Sequence, residues 1–166
     1  MRLFIGIKTS EKLQKEIMKW QEENTGLPVR FIRPENLHMT LVPPWYEDGP
    51  DDAVSKLKSI KYRKIRVVFN KIVINYRSQV IWAEPENPPE EIFSMVDDLR
   101  KLFKSKDTRP YRLHLTVARF KNGKFLQNVR FGEIKCEEQI DNITLFESKL
   151  GAKEAIYNKI FSLNPL

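Results

Sequence analysis

Cysteine is almost missing from this sequence: Cys136 stands alone among 166 residues. One thiol builds neither a disulfide framework nor a cysteine-based zinc site. It reads as a small packed residue or an exposed bystander, in a chain suited to a reducing compartment. Long apolar runs are missing too, so no segment qualifies as a membrane span. The N-terminal run Leu3 to Ile7 stops at Lys8 and is too short for a signal peptide. A cytoplasmic protein without membrane association is expected. Low-complexity tracts and long linkers are absent, which points to one domain over residues 1–166. Histidine is scarce, with two copies, and both matter below.

What is present supports a folded, basic protein. Hydrophobic residues make up 41%, enough for a core in a chain of this length. The net charge is +7. A basic balance favours polyanionic partners, through its field and through counterion release, although many basic proteins bind no nucleic acid.

Patterning gives a mixed set of elements. Arg2 to Lys8 is short, apolar and β-rich, and reads as a strand. Thr9 or Ser10 then caps a helix to about Asn24, with Leu13, Ile17, Trp20 and Met18 as its candidate apolar stripe. Val29 to Arg33 and Leu37 to Val42 read as strands, and Pro43-Pro44 as a break. The acidic turn Glu47 to Asp52 leads into a short helix through Ile60. Ile65 to Asn75 and Gln79 to Ala83 read as strands joined by a turn. Pro88-Pro89 opens a helix to about Lys104, with Ile92, Phe93, Val96, Leu99 and Phe103 inward. Arg112 to Phe120 reads as a strand, and Ile140 to Glu147 with Ala155 to Ser162 as a closing pair.

The chain repeats itself. Arg33 to Leu41 reads RPENLHMTL, and Arg109 to Val117 reads RPYRLHLTV, 76 positions later. At the same offset the strand around Phe4 to Lys8 lands on Val80 to Glu84, and the first helix lands on the second long one. Each half is therefore strand, helix, strand, and each ends in His-x-Thr. Two such halves pack as a pseudo-two-fold pair and bring the two His-x-Thr strands to a shared central cleft.

His38 with Thr40, and His114 with Thr116, fall on one strand face each, because residues i and i+2 share a face. Leu37, Met39 and Leu41 point the other way, as do Leu113, Leu115 and Val117. An imidazole titrates near neutral pH, so one ring can accept a proton while the other donates one. A threonine hydroxyl donates to a phosphate oxygen. Around one phosphodiester, the two pairs supply acid, base and oxyanion contacts. A lone strand histidine is usually structural, but two in equivalent repeat positions, each with its threonine, favour chemistry. Two histidines without neighbouring cysteine or HExxH spacing fall short of a zinc ligand set.

The motifs His38-Met39-Thr40-Leu41 (38–41) and His114-Leu115-Thr116-Val117 (114–117) resemble the paired HxTx motifs of the two-histidine (2H) phosphoesterases. The nearest resemblance is to the RNA 2′,3′-cyclic phosphodiesterase branch, LigT-like or 2′-5′ RNA ligase-like. Arg2 to Ile7, Asn36-Leu37-His38, Ser78 to Trp82 and Ile143 to Ser148 carry the likeness over nearly the whole chain. The resemblance implies an α+β, bilobal fold with antiparallel-rich sheets lining a central cleft. It implies hydrolysis of 2′,3′-cyclic phosphate ends to 2′-phosphomonoesters, without metal or other cofactor. By the same resemblance His38 is the proton donor, His114 the proton acceptor, and Thr40 and Thr116 hold the phosphate.

Arg119 sits where the family often carries an arginine beside the phosphate; an exposed strand-end cation is the other reading. The implied partner is RNA with a cyclic phosphate end, or a small cyclic nucleotide, bound by a monomer. After motif one the family often continues Phe-Leu-Gly, whereas this chain has Pro43-Pro44-Trp45-Tyr46, where an aromatic either stacks on a base or packs into the loop. Before motif two, Tyr111-Arg112-Leu113 replaces the usual proline. Alternatives remain: 2′-5′ ligation in the reverse direction, a noncatalytic RNA or nucleotide binder, and a basic structural protein with buried histidines. The run Lys56 to Lys71 carries seven basic residues and no acidic one. It suits an RNA backbone, or a solvated strand edge.

Overall fold

Seven residues, Arg2–Lys8, form β1, and residues Leu3 through Ile7 are all buried. A strand covered on both faces reads as a continuous apolar run, as this one does. The computed structural model describes residues 1–122 and 134–166. α1 (Glu11–Glu23) is capped by Ser10, whose hydroxyl accepts from the Leu13 amide at 3.2 Å. It buries Leu13, Ile17 and Trp20. Met18, one residue off that stripe, is 37% exposed and does not belong to it.

β2 (Arg30–Phe31) is short, and a 3₁₀ turn over Pro34–Asn36 leads into β3 (His38–Tyr46). Contrary to the expected break, β3 runs straight through Pro43-Pro44. It is the edge strand of a four-stranded antiparallel sheet, and its pairing with β1 shifts register twice. An edge position and a bulge both tolerate a residue with no N–H to donate.

α2 is Asp51–Lys58. The single strand expected over Ile65 to Asn75 is two: β4 (Ile65–Phe69) and β5 (Lys71–Asn75). Asn70 divides them. Its amide donates to the Glu84 carbonyl and its side chain accepts from the Glu86 amide. β6 (Val80–Glu84) follows a turn in which the Asn75 side chain accepts from the Ser78 amide, and Gln79 takes φ 55°. α3 (Glu90–Leu102) buries Ile92, Val96 and Leu99 as expected, plus Met95, while Phe93 and Phe103 are only partly covered.

β7 is Leu115–Arg119, shorter than the expected span, so Arg112 to His114 form its lead-in. β8 (Cys136–Ile140) has no counterpart in the sequence reading; it buries Cys136, Glu138 and Ile140 on one face. Cys136 is therefore a packed residue. β9 (Ile143–Leu150) and β10 (Ala155–Leu163) pair antiparallel, as expected for the closing pair.

The strands form one sheet in the order β10-β9-β1-β3, a second in the order β2-β7-β6-β5, and a ribbon of β4 with β8. Every pairing is antiparallel, and the fold is α+β and bilobal. The repeat persists in the register. Ile5 faces Val42, Gly6 faces Thr40 and Ile7 faces Met39; Ile81 faces Ala118, Trp82 faces Thr116 and Ala83 faces Leu115. Each residue of the first set lies 76 positions before its counterpart, and the bulge between Ile5 and Gly6 recurs between Ile81 and Trp82. α3 packs against β3, so the helix of the second repeat covers a strand of the first. One buried cluster joins both sheets. Among the described residues no helix is long and apolar enough to cross a membrane.

Candidate active site

Alternation along the two repeat strands builds the site. Leu37, Met39 and Leu41 are buried on one face of β3, and Leu113, Leu115 and Val117 on one face of β7 and its lead-in. The opposite faces carry His38 with Thr40 and His114 with Thr116, all half-buried. The four side chains line one cleft of about 530 Å³.

Arg119 joins them through a backbone irregularity. Strict alternation from His114 would turn Arg119 away from Thr116. The bulge opposite Ile81 and Trp82 sends Val117 and Ala118 both inward, so Arg119 returns to the cleft side and lines it.

The two imidazoles are held alike. His38 Nδ1 lies 2.8 Å from the Asn36 carbonyl, and His114 Nδ1 lies 2.8 Å from the Arg112 carbonyl. A carbonyl only accepts, so Nδ1 carries the hydrogen in each neutral ring. Nε2, on the far edge, is then the atom left for proton transfer. Both rings have lowered proton affinity. Burial is the main cause for each, opposed by the bond to the carbonyl. The charges of His114 and Arg119 press His38 further down. At His114, Glu84 pulls up and Arg112 pushes down.

Their surroundings differ. His38 sits beside Phe4 and against the edge of Tyr157, with centroids 5.0 and 4.8 Å away. His114 stacks on Trp82 at 4.0 Å. Arg112 covers the Trp82 ring at 5.2 Å and makes two 2.8 Å hydrogen bonds to the buried carboxylate of Glu84. Gly6, the repeat counterpart of Trp82, explains part of the contrast. A β-carbon there would lie 2.7 Å from the Met39 carbonyl oxygen, so β3 comes close enough only because position 6 is bare.

Arg2, Arg30 and Tyr157 also line the cleft, from β1, β2 and β10. No local pattern in the sequence marks them, since strands distant in the chain deliver them. The register of the repeat, read as a pairing scheme, marks Gly6 and Trp82. Trp45 packs on Phe103 at 5.3 Å and donates to Glu47, whereas Tyr46 is 79% exposed and outside the cleft lining. The basic run Lys56 to Lys71 stays away from the cleft; within it, Lys56 pairs with Asp52 and Arg66 with Glu137, both at 2.6 Å. Among the described residues, no three His, Cys, Asp or Glu side chains converge where a metal ion could be held.

A family model described as the 2′-5′ RNA ligase superfamily matches residues 9–145. The chain is 30% identical to the RNA 2′,3′-cyclic phosphodiesterase of Methanocaldococcus jannaschii, over 96% of this chain and 98% of that one. It is 28% identical to the protein of the same name from Archaeoglobus fulgidus, with the same coverage. Its fold resembles that of E. coli LigT, at 19% identity, with a TM-score of 0.85 over 99% of this chain and 96% of that one. LigT complexed with 3′-AMP superposes with the same score at 18% identity, over 99% and 97% of the two chains.

Proposed function

The chain belongs to the 2′-5′ RNA ligase superfamily, and on that premise we propose that it is an RNA 2′,3′-cyclic phosphodiesterase that leaves a 2′-phosphate. The observation that carries this reading is the matched anchoring of His38 and His114. Each ring is fixed through Nδ1 to the carbonyl two residues earlier, and each has a threonine beside it on one cleft. The archaeal relatives carry that activity in their names, and a nucleotide complex of LigT is in keeping with a nucleotide ligand.

In the proposed reaction, His114 Nε2 takes a proton from water as its oxygen attacks phosphorus. The P–O3′ bond breaks, and His38 Nε2, protonated, gives its proton to the departing 3′ oxygen. The products are a 3′-hydroxyl and a 2′-phosphomonoester. Thr40 and Thr116 donate to the non-bridging oxygens, and Arg119 offsets the charge that grows on them. The cyclic phosphate is itself an anion. Its arrival favours protonation of His38, which Arg119 and His114 oppose in the empty cleft. No step calls on a metal. With an RNA 5′-hydroxyl in place of water, the same groups would open the cyclic phosphate to a 2′-5′ phosphodiester and a free 3′-hydroxyl. A noncatalytic binder would have no need of both anchored rings. We take the chain as a monomer, one domain of two lobes related by the 76-residue repeat, working in the cytoplasm.

The test is incubation with nucleoside 2′,3′-cyclic phosphates, and with a short RNA bearing that end, in EDTA. A 2′-phosphate product in undiminished yield supports the reading. Loss of turnover in EDTA with recovery on adding back a divalent ion overturns the metal-free chemistry. No turnover by the folded protein under any condition overturns the enzyme reading.

A further inference from the structure

The cleft holds more positive charge than a single cyclic phosphate needs. Arg30 on β2 and Arg119 on β7 are direct partners across an antiparallel pair, so their Cα atoms lie about 5 Å apart. Like charges directly opposite each other destabilise a sheet. Neither is relieved, because among the described residues no carboxylate forms an ion pair with either one. Arg2 enters the same cleft from the other sheet, also without a carboxylate partner there. Elsewhere Arg33, Arg66, Arg100, Arg109 and Arg112 each pair with an acid. Glu154 reaches the cleft, but its carboxylate is held by Arg33 at 2.7 Å.

Arg30 is already aimed. Its Nη1 donates to the Lys153 carbonyl at 2.6 Å, and Arg2 Nη1 donates to the Ser148 hydroxyl at 2.7 Å. These bonds fix the guanidinium planes and leave further N–H groups on each for an acceptor. The scissile phosphate has one charge, and in the proposed reaction two histidines, two threonines and Arg119 already serve it, which leaves Arg30 and Arg2 over.

We infer that Arg30, with Arg2, forms a second anion subsite that takes the phosphate on the 5′-oxygen of the terminal nucleoside. This rests on the proposed reaction at the same cleft. The preferred substrate is then an RNA end that keeps at least one phosphate upstream, rather than a bare nucleoside cyclic phosphate.

The experiment compares adenosine 2′,3′-cyclic phosphate with and without a 5′-phosphate, for the native chain and for Arg30→Gln. Glutamine removes the charge and leaves a shorter polar side chain at an exposed position, where the fold tolerates the change. The native protein should favour the 5′-phosphorylated probe by about tenfold or more in kcat/KM, as a charge-assisted contact to phosphate supplies. In Arg30→Gln that ratio should fall close to one. A native ratio near one, or a ratio undiminished in the variant, overturns the subsite. Calorimetry with adenosine 2′-phosphate and adenosine 2′,5′-bisphosphate reads the same preference without turnover. If neither cyclic phosphate is hydrolysed but the bisphosphate binds more tightly and only in the native chain, the reaction fails while the subsite stands. Equal binding of the two by the native chain removes the subsite.

Discussion

The Tyr111 hydroxyl donates to the Thr40 carbonyl at 3.0 Å, joining the lead-in of the second His-x-Thr motif to the strand that carries the first. The ring is also wedged against Phe93 and under Arg100. Burial raises the affinity of its phenol for its proton, so it stays a donor throughout the working pH range. One hydrogen bond thus spans the two repeats at the edge of the cleft. Tyr111→Phe should lower unfolding free energy by about 1–2 kcal/mol, the cost of one lost bond with a partly unsatisfied partner. Chemical denaturation measures this. A larger fall in kcat than in stability would show that the bond also sets the spacing of the two histidines.

The paired histidines carry the most direct prediction. His38→Ala and His114→Ala should each reduce kcat by about 10²–10⁴-fold, the usual contribution of a positioned acid or base. Both rings are only half-buried, so the melting temperature should move little. Normal turnover by either variant would remove the assignment of that ring.

Both rings bind protons less readily than a free imidazole, mainly through burial. In the free enzyme, the limbs of the kcat/KM profile should therefore lie on the acid side of about pH 6.5. Stability follows the same sign. As pH falls below about 6.5, the unfolded chain takes up protons before the native one, so stability declines with acidification. It is fully present above the unfolded value and is lost through the window beneath it. Melting curves between pH 7.5 and 5 should show this slope, and the double variant His38→Gln/His114→Gln should flatten it.

Glu84, Arg112 and Trp82 form a chain of contacts that ends on His114, and we predict that they act as positioning residues for it. The Glu84 carboxylate fixes Arg112, Arg112 covers Trp82, and Trp82 stacks on His114. Glu84→Gln and Arg112→Lys should each lower kcat several-fold with KM nearly constant. NMR reads the effect cleanly, because the chain has only two histidines: one imidazole titration should move and the other stay. A change confined to KM would mean that Arg112 grips substrate instead.

Gly6→Ala tests the closeness of β1 and β3. The added methyl meets a backbone oxygen at 2.7 Å and lies 3.6 Å from the His38 ring. Backbone cannot yield as a side-chain tip can, so the change should cost about 1–3 kcal/mol. It should also impair turnover by displacing His38. Native-like melting and activity together would show that the strands have slack.

Much of this protein is written locally. The alternation Leu-His-x-Thr puts histidine and threonine on one face and aliphatics on the other, and strand periodicity alone enforces it. The repeat of that pattern at a constant offset carried the pairing of halves, and the α1 stripe followed from helical spacing. Tertiary structure decided the rest. Pro43 and Pro44 stay in a strand because β3 is an edge, a fact about neighbours that the residues themselves do not encode. The run through Asn70 splits because its two parts pair with different partners, β8 and β6. Arg119 faces the cleft because a bulge reverses its side, and no alternation rule foresees a bulge. Arg2, Arg30 and Tyr157 line the histidines' cleft from strands far apart in the chain, since only sheet order brings them together. The sequence by itself determined which atoms are available for acid–base chemistry; the packing of two sheets decided which charges and rings surround them.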